Sequence, residues 1–513
     1  MSGAPAPQSQ ASMLATITTD LDRIAPRFEI QPSQIHIMRT PTEFYETLKS
    51  KILSAQSRVY LSTLYIGKTE HELISTVRTA LARNSNLKVS FLVDALRGTR
   101  ETPNPCSASL LAPLISEFGS SRVEVRLFHT PNLTGLRKKV VPRRINEGWG
   151  LQHMKLYGVD DEIIMSGANL SSNYFTDRQD RYHLFSSKEL ADYFERIYGG
   201  ICKLSFDVQP SDEPAGYTMS WPTSNPSVSP LDNPKAFRKS ATKLLAPLLT
   251  PSNSPLSAPS KPSGSSTTIY PIMSFVPLLT PNTSTELPAL TTILTHLASP
   301  PFHPSTWTFT AGYFNTTAKF RRLLLSTRPA HGTILTAHPH ANGFYGSKGV
   351  SGMLPDAYTY LARSFLRRIR MEGLEDSIEM REWKRGCIGE PGGWTYHAKG
   401  FWVAFPSMEQ QQQSLKSGQG HPLDAQNATD PDPSISVIGS SNYTKRAYEM
   451  DLEANVLICT SDADLKRRLG EEVKWLKEYA NKVDETEFKK PERRVGLGVK
   501  FSMWLVRVLG GAL

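Results

Sequence analysis

Apolar positions along the chain fall into two recurring rhythms. Residues 58–66 (RVYLSTLYI), 87–96 (LKVSFLVDAL) and 122–128 (RVEVRLF) are rich in β-branched and aromatic side chains and read as strands. Between the first two, HELISTVRTALARN sets Leu73, Val77 and Leu81 at intervals of four, the spacing of one helix face. Strand, helix and strand in that order predict a parallel sheet with right-handed crossovers. Farther on, WTFTAGYF, GTILTAH, SIEMREW, a strand around His397, SISVIGS and ANVLICT repeat the pattern, with helices near 357–371 and 463–480. The expected fold class is α/β, with two halves of mixed sheets flanked by helices.

Segments that break these rhythms mark the expected boundaries. Residues 1–34 read as an N-terminal extension, 35–210 as the first half and 266–485 as the second. The intervening 211–265 are rich in Pro and Ser, the composition of a linker, except for a basic apolar stretch from Lys235 to Leu249. That stretch suits either an anionic membrane surface or an amphipathic helix packed on the protein. Inside the second half, 406–433 are polar and aperiodic and predict a solvated loop. The tail, 486–513, contains KKPERR and then VGLGVKFSMWLVRVLGGAL, in which Lys500 and Arg507 interrupt the apolar run. An interfacial helix with Phe501 and Trp504 at headgroup depth is expected there, rather than a full span.

Composition adds a sign to the partner. A chain of 513 residues with 39% hydrophobic content can bury two cores, and its net charge of +10 favours an anionic lipid, nucleotide or nucleic acid. Four scattered cysteines with no Cys-x-x-Cys argue against a disulfide framework or a zinc site. The first twenty residues lack the Arg-rich amphipathic pattern of a strong mitochondrial transit peptide. Residues 62–69 end like a phosphate-binding loop in Gly67, Lys68 and Thr69, but Ser62 stands where the first glycine belongs, and the segment reads as the end of a strand.

The candidate chemistry lies in a duplication. Leu151-Gln-His153-Met-Lys155 returns as Thr395-Tyr-His397-Ala-Lys399, and the copies continue into Ser166-Gly167-Ala168-Asn169 and Gly439-Ser440-Ser441-Asn442. Asp180 stands eleven residues after Asn169, and Glu453 eleven after Asn442. The His-to-Asn spacing is 16 in the first copy and 45 in the second; without the 28 residues 406–433 it becomes 17, so the repeats align. On a strand, residues two apart share a face, which sets each imidazole beside a lysine. One imidazole can then attack phosphorus while the other protonates the leaving oxygen. Two lysines and two asparagines would hold the phosphoryl oxygens, and Asp180 and Glu453 would fix the histidine tautomers. This design calls for neither cofactor nor metal.

The paired motifs resemble the phospholipase D superfamily, whose His-x-Lys is usually followed by an Asp five residues after the Lys. Asp160 fits the first copy, whereas Ala404 occupies the second position. The flanks QHMKLY, SGANLSSNYFTDRQDRY, GWTYHAKGFW and IGSSNYTKRAYEMDLEAN, with TAHPHANGFYGSKGVSG and PDAYTY at 336–360, are similar to those of eukaryotic phosphatidylglycerophosphate synthases, and the likeness spans most of 35–480.

That resemblance implies two phospholipase D-like halves related by a pseudo-twofold axis, with the active site at their interface. It implies His153, Lys155, Asp160, His397 and Lys399 as catalytic residues, with Asn169, Asn442, Asp180 and Glu453 supporting them and binding phosphate. The implied reaction moves a phosphatidyl group from CDP-diacylglycerol to glycerol 3-phosphate with release of CMP, toward phosphatidylglycerol and cardiolipin. The implied location is the mitochondrial inner membrane, with an anionic membrane surface as partner and no nucleic acid. A phosphodiesterase of the same superfamily, hydrolysing phospholipid or nucleic acid, would use the same motif residues, because water and glycerol 3-phosphate compete for one covalent intermediate. Outside the motifs, Arg178 and Lys445 are candidates to bind the acceptor phosphate.

Overall fold

The computed structural model describes residues 8–142, 145–251, 267–303, 305–416 and 431–508. Two nine-stranded sheets organise the chain. The first runs Tyr217–Ser220, Phe206–Pro210, Val123–Phe128, Lys88–Asp94, Arg58–Thr63, Leu156–Val159, Glu162–Ser166, Tyr182–Ser186 and Ile35–Met38. The second runs Ala480–Lys482, Ile378–Trp383, His331–Ala337, Thr306–Ala311, Lys399–Ala404, Ile435–Gly439, Glu453–Thr460, Thr267–Ser274 and Phe28–Ile30. Both sheets therefore have the same internal order: three parallel strands joined by crossovers, then an antiparallel run that starts with the strand adjoining a His-x-Lys motif. Helix His71–Arg83 supplies the first crossover and buries Leu73, Val77 and Leu81, the face that their spacing predicts.

The halves are interwoven beyond the repeat. Helix Gln10–Leu21 buries Met13, Ile17 and Leu21 in the second half's core, and Phe28–Ile30 pairs antiparallel with Thr267–Ser274. Residues read as an extension thus complete the second sheet before the first sheet begins. Helix Pro234–Leu249 buries Phe237, Ala241, Leu245 and Leu249 and packs on helix Lys188–Cys202. Its apolar face is already covered by protein, which sets aside the membrane alternative for that stretch; of the rest of the region read as a linker, Tyr217–Ser220 is the edge strand of the first sheet, and 252–265 lie outside the described residues.

The expectation of a loop throughout 406–433 is corrected. Met408–Lys416 is helical, and Gln411 is buried, donating from Nε2 to the Gln8 carbonyl at 2.6 Å and accepting from its N–H at 2.8 Å. Glutamine has good helix propensity, and this amide pair satisfies the buried side chain. Residues 417–430 are not described.

A buried ion cluster locks the two sheets together. Arg181 donates to both carboxylate oxygens of Glu472, at 2.9 and 2.8 Å, and to Ser436 Oγ at 2.9 Å. His183 Nε2 lies 2.9 Å from the same carboxylate, and Trp402 Nε1 donates to it at 3.0 Å. At the end of the chain, Arg493 is buried and forks onto Glu382, which anchors the KKPERR segment, and helix Leu497–Val508 follows. Among the described residues no helix is long and apolar enough to cross a membrane.

Candidate active site

Two short parallel contacts between the halves set the site. Gln152 bridges Leu452, and Thr395–Tyr396 pairs with Arg178–Gln179. In each case the residue before a motif histidine lies alongside the residue before a motif carboxylate of the other half. The His153 N–H donates to the Leu452 carbonyl at 3.0 Å, and the His397 N–H to the Gln179 carbonyl at 2.8 Å. Both side-chain pairs consequently cross the interface. His153 Nδ1 lies 2.9 and 3.0 Å from the two Glu453 oxygens, and His397 Nδ1 lies 2.6 Å from Asp180 Oδ2. A carboxylate at Nδ1 leaves Nε2 as the reacting nitrogen, the tautomer logic of a catalytic triad.

The lysines are buried beside these pairs. Lys399 Nζ donates to Asp180 Oδ2 at 3.2 Å, and Lys155 Nζ to the His153 carbonyl at 2.6 Å. Gly167 makes room for the first contact, since a Cβ there would fall 2.4 Å from Lys399 Nζ and 2.8 Å from Asp180 Oδ1. Its counterpart in the repeat is Ser440, whose hydroxyl donates to Glu453 instead. The two sides of the site are alike in plan and unlike in charge balance.

Burial dominates the electrostatics. It pushes the Glu453 carboxyl up to about 7, opposed in part by Lys155 and the Ser440 hydroxyl, and the Lys155 ammonium down to about 7, opposed by Glu453. Asp180 differs: burial alone would raise it, but Lys399 and the His397 hydrogen bond outweigh burial and hold it below the usual carboxylate value. Burial first, and the neighbouring lysine next, push both imidazoles well below their ordinary value. An anion among these groups would supply negative charge and raise their affinity for protons.

Supporting groups come from both halves. Asn169 Nδ2 donates to the Tyr174 hydroxyl at 3.1 Å, and that hydroxyl lies 3.5 Å from His397 Nε2. In both motif asparagines Oδ1 is buried with no hydrogen-bond partner among the described residues. A bound ligand, with either amide orientation, would remove that cost. Gln152 is braced from two directions: its N–H donates to Asp94 Oδ2 at 2.8 Å, and its side-chain amide donates to the Ser62 hydroxyl. Ser62, within strand Arg58–Thr63, thus contributes a strut under His153.

Asp160, which the motif groups with the catalytic residues but whose counterpart is Ala404, occupies a backbone turn. It sits in a left-handed turn with φ 48° and accepts the N–H groups of Gln56, Ser57 and Arg58 at 2.8, 2.9 and 3.1 Å. The strand Leu156–Val159 separates it from Lys155, and five extended residues span about 16 Å. Lys445 is exposed beside Glu449 at 3.7 Å, away from these contacts. Sequence reasoning missed Tyr174, Tyr313 and the Arg446–Asp451 pair. Tyr174 lies five residues after Asn169, a proximity that was a usable signal; Tyr313 gave none, because only the fold brings its ring edge to 5.3 Å from the His397 ring.

A family model described as cardiolipin synthase, PLD-like domain, matches residues 48–201. The chain is 43% identical over 502 residues to a CDP-diacylglycerol–glycerol-3-phosphate 3-phosphatidyltransferase of Saccharomyces pastorianus, covering 97% of this chain and 92% of that one. It is 32% identical over 511 residues to the mitochondrial protein of that name from Homo sapiens, covering 94% and 84%. Among solved structures, phosphatidylserine synthase of Haemophilus influenzae Rd KW20 matches with a TM-score of 0.68 at 19% identity, covering 97% of this chain and 98% of that one, a likeness of fold.

Proposed function

This chain belongs to the CDP-diacylglycerol–glycerol-3-phosphate 3-phosphatidyltransferase family, and from that premise we propose how its residues carry the transfer. The reaction passes the phosphatidyl group of CDP-diacylglycerol to glycerol 3-phosphate and releases CMP. His153 Nε2 attacks the phosphatidyl phosphorus while His397 gives a proton to the departing CMP oxygen; the N–P bond forms as the P–O bond breaks. His397 then takes the proton from a hydroxyl of glycerol 3-phosphate, whose oxygen displaces His153. Lys155, Lys399, Asn169 and Asn442 face the phosphoryl oxygens in both steps.

The observation that supports this course is the pair of crossed His–carboxylate contacts, which turns both Nε2 atoms into reacting groups of one site. The order of roles follows from the charge balance. Asp180, held ionised by Lys399, suits a histidine that must carry a proton, and an ionised Glu453 keeps the proton of neutral His153 on Nδ1, leaving Nε2 free to attack. Product identification tests the reaction itself. With CDP-diacylglycerol and glycerol 3-phosphate the chain should yield phosphatidylglycerophosphate and CMP; phosphatidic acid with or without acceptor would instead assign hydrolysis.

A lipid donor brings the enzyme to a bilayer. Helix Gly135–Val140 and the residues after it expose Leu136, Val140 and Ile145 at 76%, 69% and 54%, interleaved with Arg137, Lys138 and Lys139. In the terminal helix Leu497, Phe501 and Trp504 are also exposed. Apolar side chains set among cations suit an anionic interface. Vertebrate relatives are named mitochondrial, which supports a mitochondrial location, with the inner membrane as the proposed surface.

A further inference from the structure

Arg178 is a buried cation with no carboxylate partner among the described residues. It is 8% exposed, its Nε donates to Thr395 Oγ1 at 3.0 Å, and its guanidinium lies over the Tyr174 ring, 4.5 Å from the centroid. Gly343 passes so close that a Cβ would fall 2.9 Å from both Arg178 Nη2 and the Tyr313 hydroxyl. The rings of Tyr174 and Tyr313 both meet His397 edge-on, with centroids 5.1 and 5.3 Å away. Arg178 therefore stands on the His397 side of the site, one aromatic ring removed from the reacting nitrogen.

The repeat shows what this arrangement lacks. Arg178 precedes Asp180 by two residues, as Asp451 precedes Glu453. In the second half Arg446 Nε donates to Asp451 at 2.7 Å, so that cation is neutralised. By the same offset the counterpart of Arg446 is Asn173, which brings no charge to Arg178. A buried guanidinium surrounded by tyrosines and a threonine is costly unless an anion joins it.

We propose that Arg178, with the Tyr313 hydroxyl, binds the phosphate monoester of glycerol 3-phosphate and so selects a phosphorylated acceptor over free glycerol. The assignment rests on the transfer reaction proposed above. CMP leaves on the His397 side, and the acceptor enters there. The acceptor phosphate lies a carbon chain away from the attacking hydroxyl, which suits a cation set back from His397 by the width of Tyr174. The reacting phosphoryl group already has two lysines. A guanidinium can fork onto phosphate, and a site built for that charge rejects an acceptor that lacks it.

The test uses the full chain in mixed micelles of CDP-diacylglycerol, with Arg178→Gln and Arg178→Lys variants. The first half-reaction is read as exchange of labelled CMP into CDP-diacylglycerol without acceptor. For Arg178→Gln, the KM for glycerol 3-phosphate should rise at least about tenfold, exchange should stay within about threefold of wild type, and free glycerol should gain relative to glycerol 3-phosphate. Arg178→Lys, which keeps charge but loses the fork, should show a smaller rise in KM, and it decides the matter if Arg178→Gln does not melt cooperatively. Exchange that falls in step with transfer would assign Arg178 to the donor and overturn the proposal. An unchanged KM in the variants, beside intact wild-type transfer, overturns this assignment alone; a wild-type chain that exchanges CMP but ignores glycerol 3-phosphate overturns the transfer reaction with it.

Discussion

Glu453 reaches across the interface between the two halves to hold His153, its oxygens 2.9 and 3.0 Å from Nδ1, while Asp160, nearer in sequence, faces away into a backbone turn. Glu453→Gln presents an amide that can donate its own proton toward Nδ1 and favour the wrong tautomer. A loss of about 100- to 10,000-fold in kcat is expected, by analogy with carboxylate-to-amide changes in catalytic triads. Asp160→Asn should leave kcat within a few-fold and cost about 1–2 kcal/mol of stability, because three N–H groups lose a charged acceptor. Steady-state rates and denaturant unfolding on the two variants check the ranking, and the reverse order would return Asp160 to the catalytic set.

The pH profile should be a narrow bell near neutrality. Activity needs Glu453 ionised and Lys155 protonated. Glu453, raised to about 7, takes up a proton as pH falls through that value; Lys155, lowered to about 7, loses one as pH rises through it. The groups influence each other, so the limbs belong to the pair. Lys155→Arg, whose guanidinium stays charged, should lower kcat yet extend the alkaline limb upward. An alkaline limb that does not move would assign that proton to another group.

Gly167 tests how tightly Lys399 must approach. In Gly167→Ala the new methyl would stand 2.4 Å from Nζ and 2.6 Å from Cδ of Lys399, and the lysine must give way. Transfer should fall by about 100-fold or more, as a misplaced catalytic group does. Gly199→Ala is the control. It lies in helix Lys188–Cys202 with nothing within 4 Å of its added Cβ, and it should stabilise the chain by about 0.5–1 kcal/mol with activity unchanged.

Local pattern and long-range pairing account for what could and could not be read in advance. The four-residue spacing of Leu73, Val77 and Leu81 specifies a buried helix face, because that face depends only on neighbours in sequence. Equal offsets of eleven mark Asp180 and Glu453 as equivalent but name no partner. Asp180 meets His397 over a separation of 217 residues only because Arg178–Gln179 lies beside Thr395–Tyr396. Phe28–Ile30 is too short for its period to announce a strand, and its partner strand lies more than two hundred residues on. Ala404, facing Asp160 in the repeat alignment, was the one hint that Asp160 need not belong to the chemistry.

Membrane docking through Gly135–Val140 has a direct test. Leu136→Glu with Val140→Glu should weaken binding to anionic vesicles by about thirtyfold or more, because each exposed apolar side chain inserted in the interface contributes about 1–3 kcal/mol, while turnover of a short-chain, water-soluble CDP-diacylglycerol stays near wild type. Unchanged vesicle binding would leave the terminal helix as the docking element.

The covalent course makes the most discriminating prediction. Attack by His153 inverts phosphorus once, and attack by glycerol 3-phosphate on the phosphatidyl-histidine inverts it again, so a chiral thiophosphate donor should give product with net retention. His397 must give a proton in the first step and take one in the second. In His397→Ala the leaving CMP still departs slowly, since its phosphate is an acceptable leaving group, but the acceptor hydroxyl loses its base. That variant should accumulate label from a donor carrying ³²P in its phosphatidyl phosphate, bound to protein through an acid-labile, base-stable P–N linkage, and His153→Ala should not. Inversion at phosphorus would mean a single direct displacement by glycerol 3-phosphate. Label retained in His153→Ala but lost in His397→Ala would exchange the two roles, with Asp180 then orienting the nucleophile and Glu453 the acid.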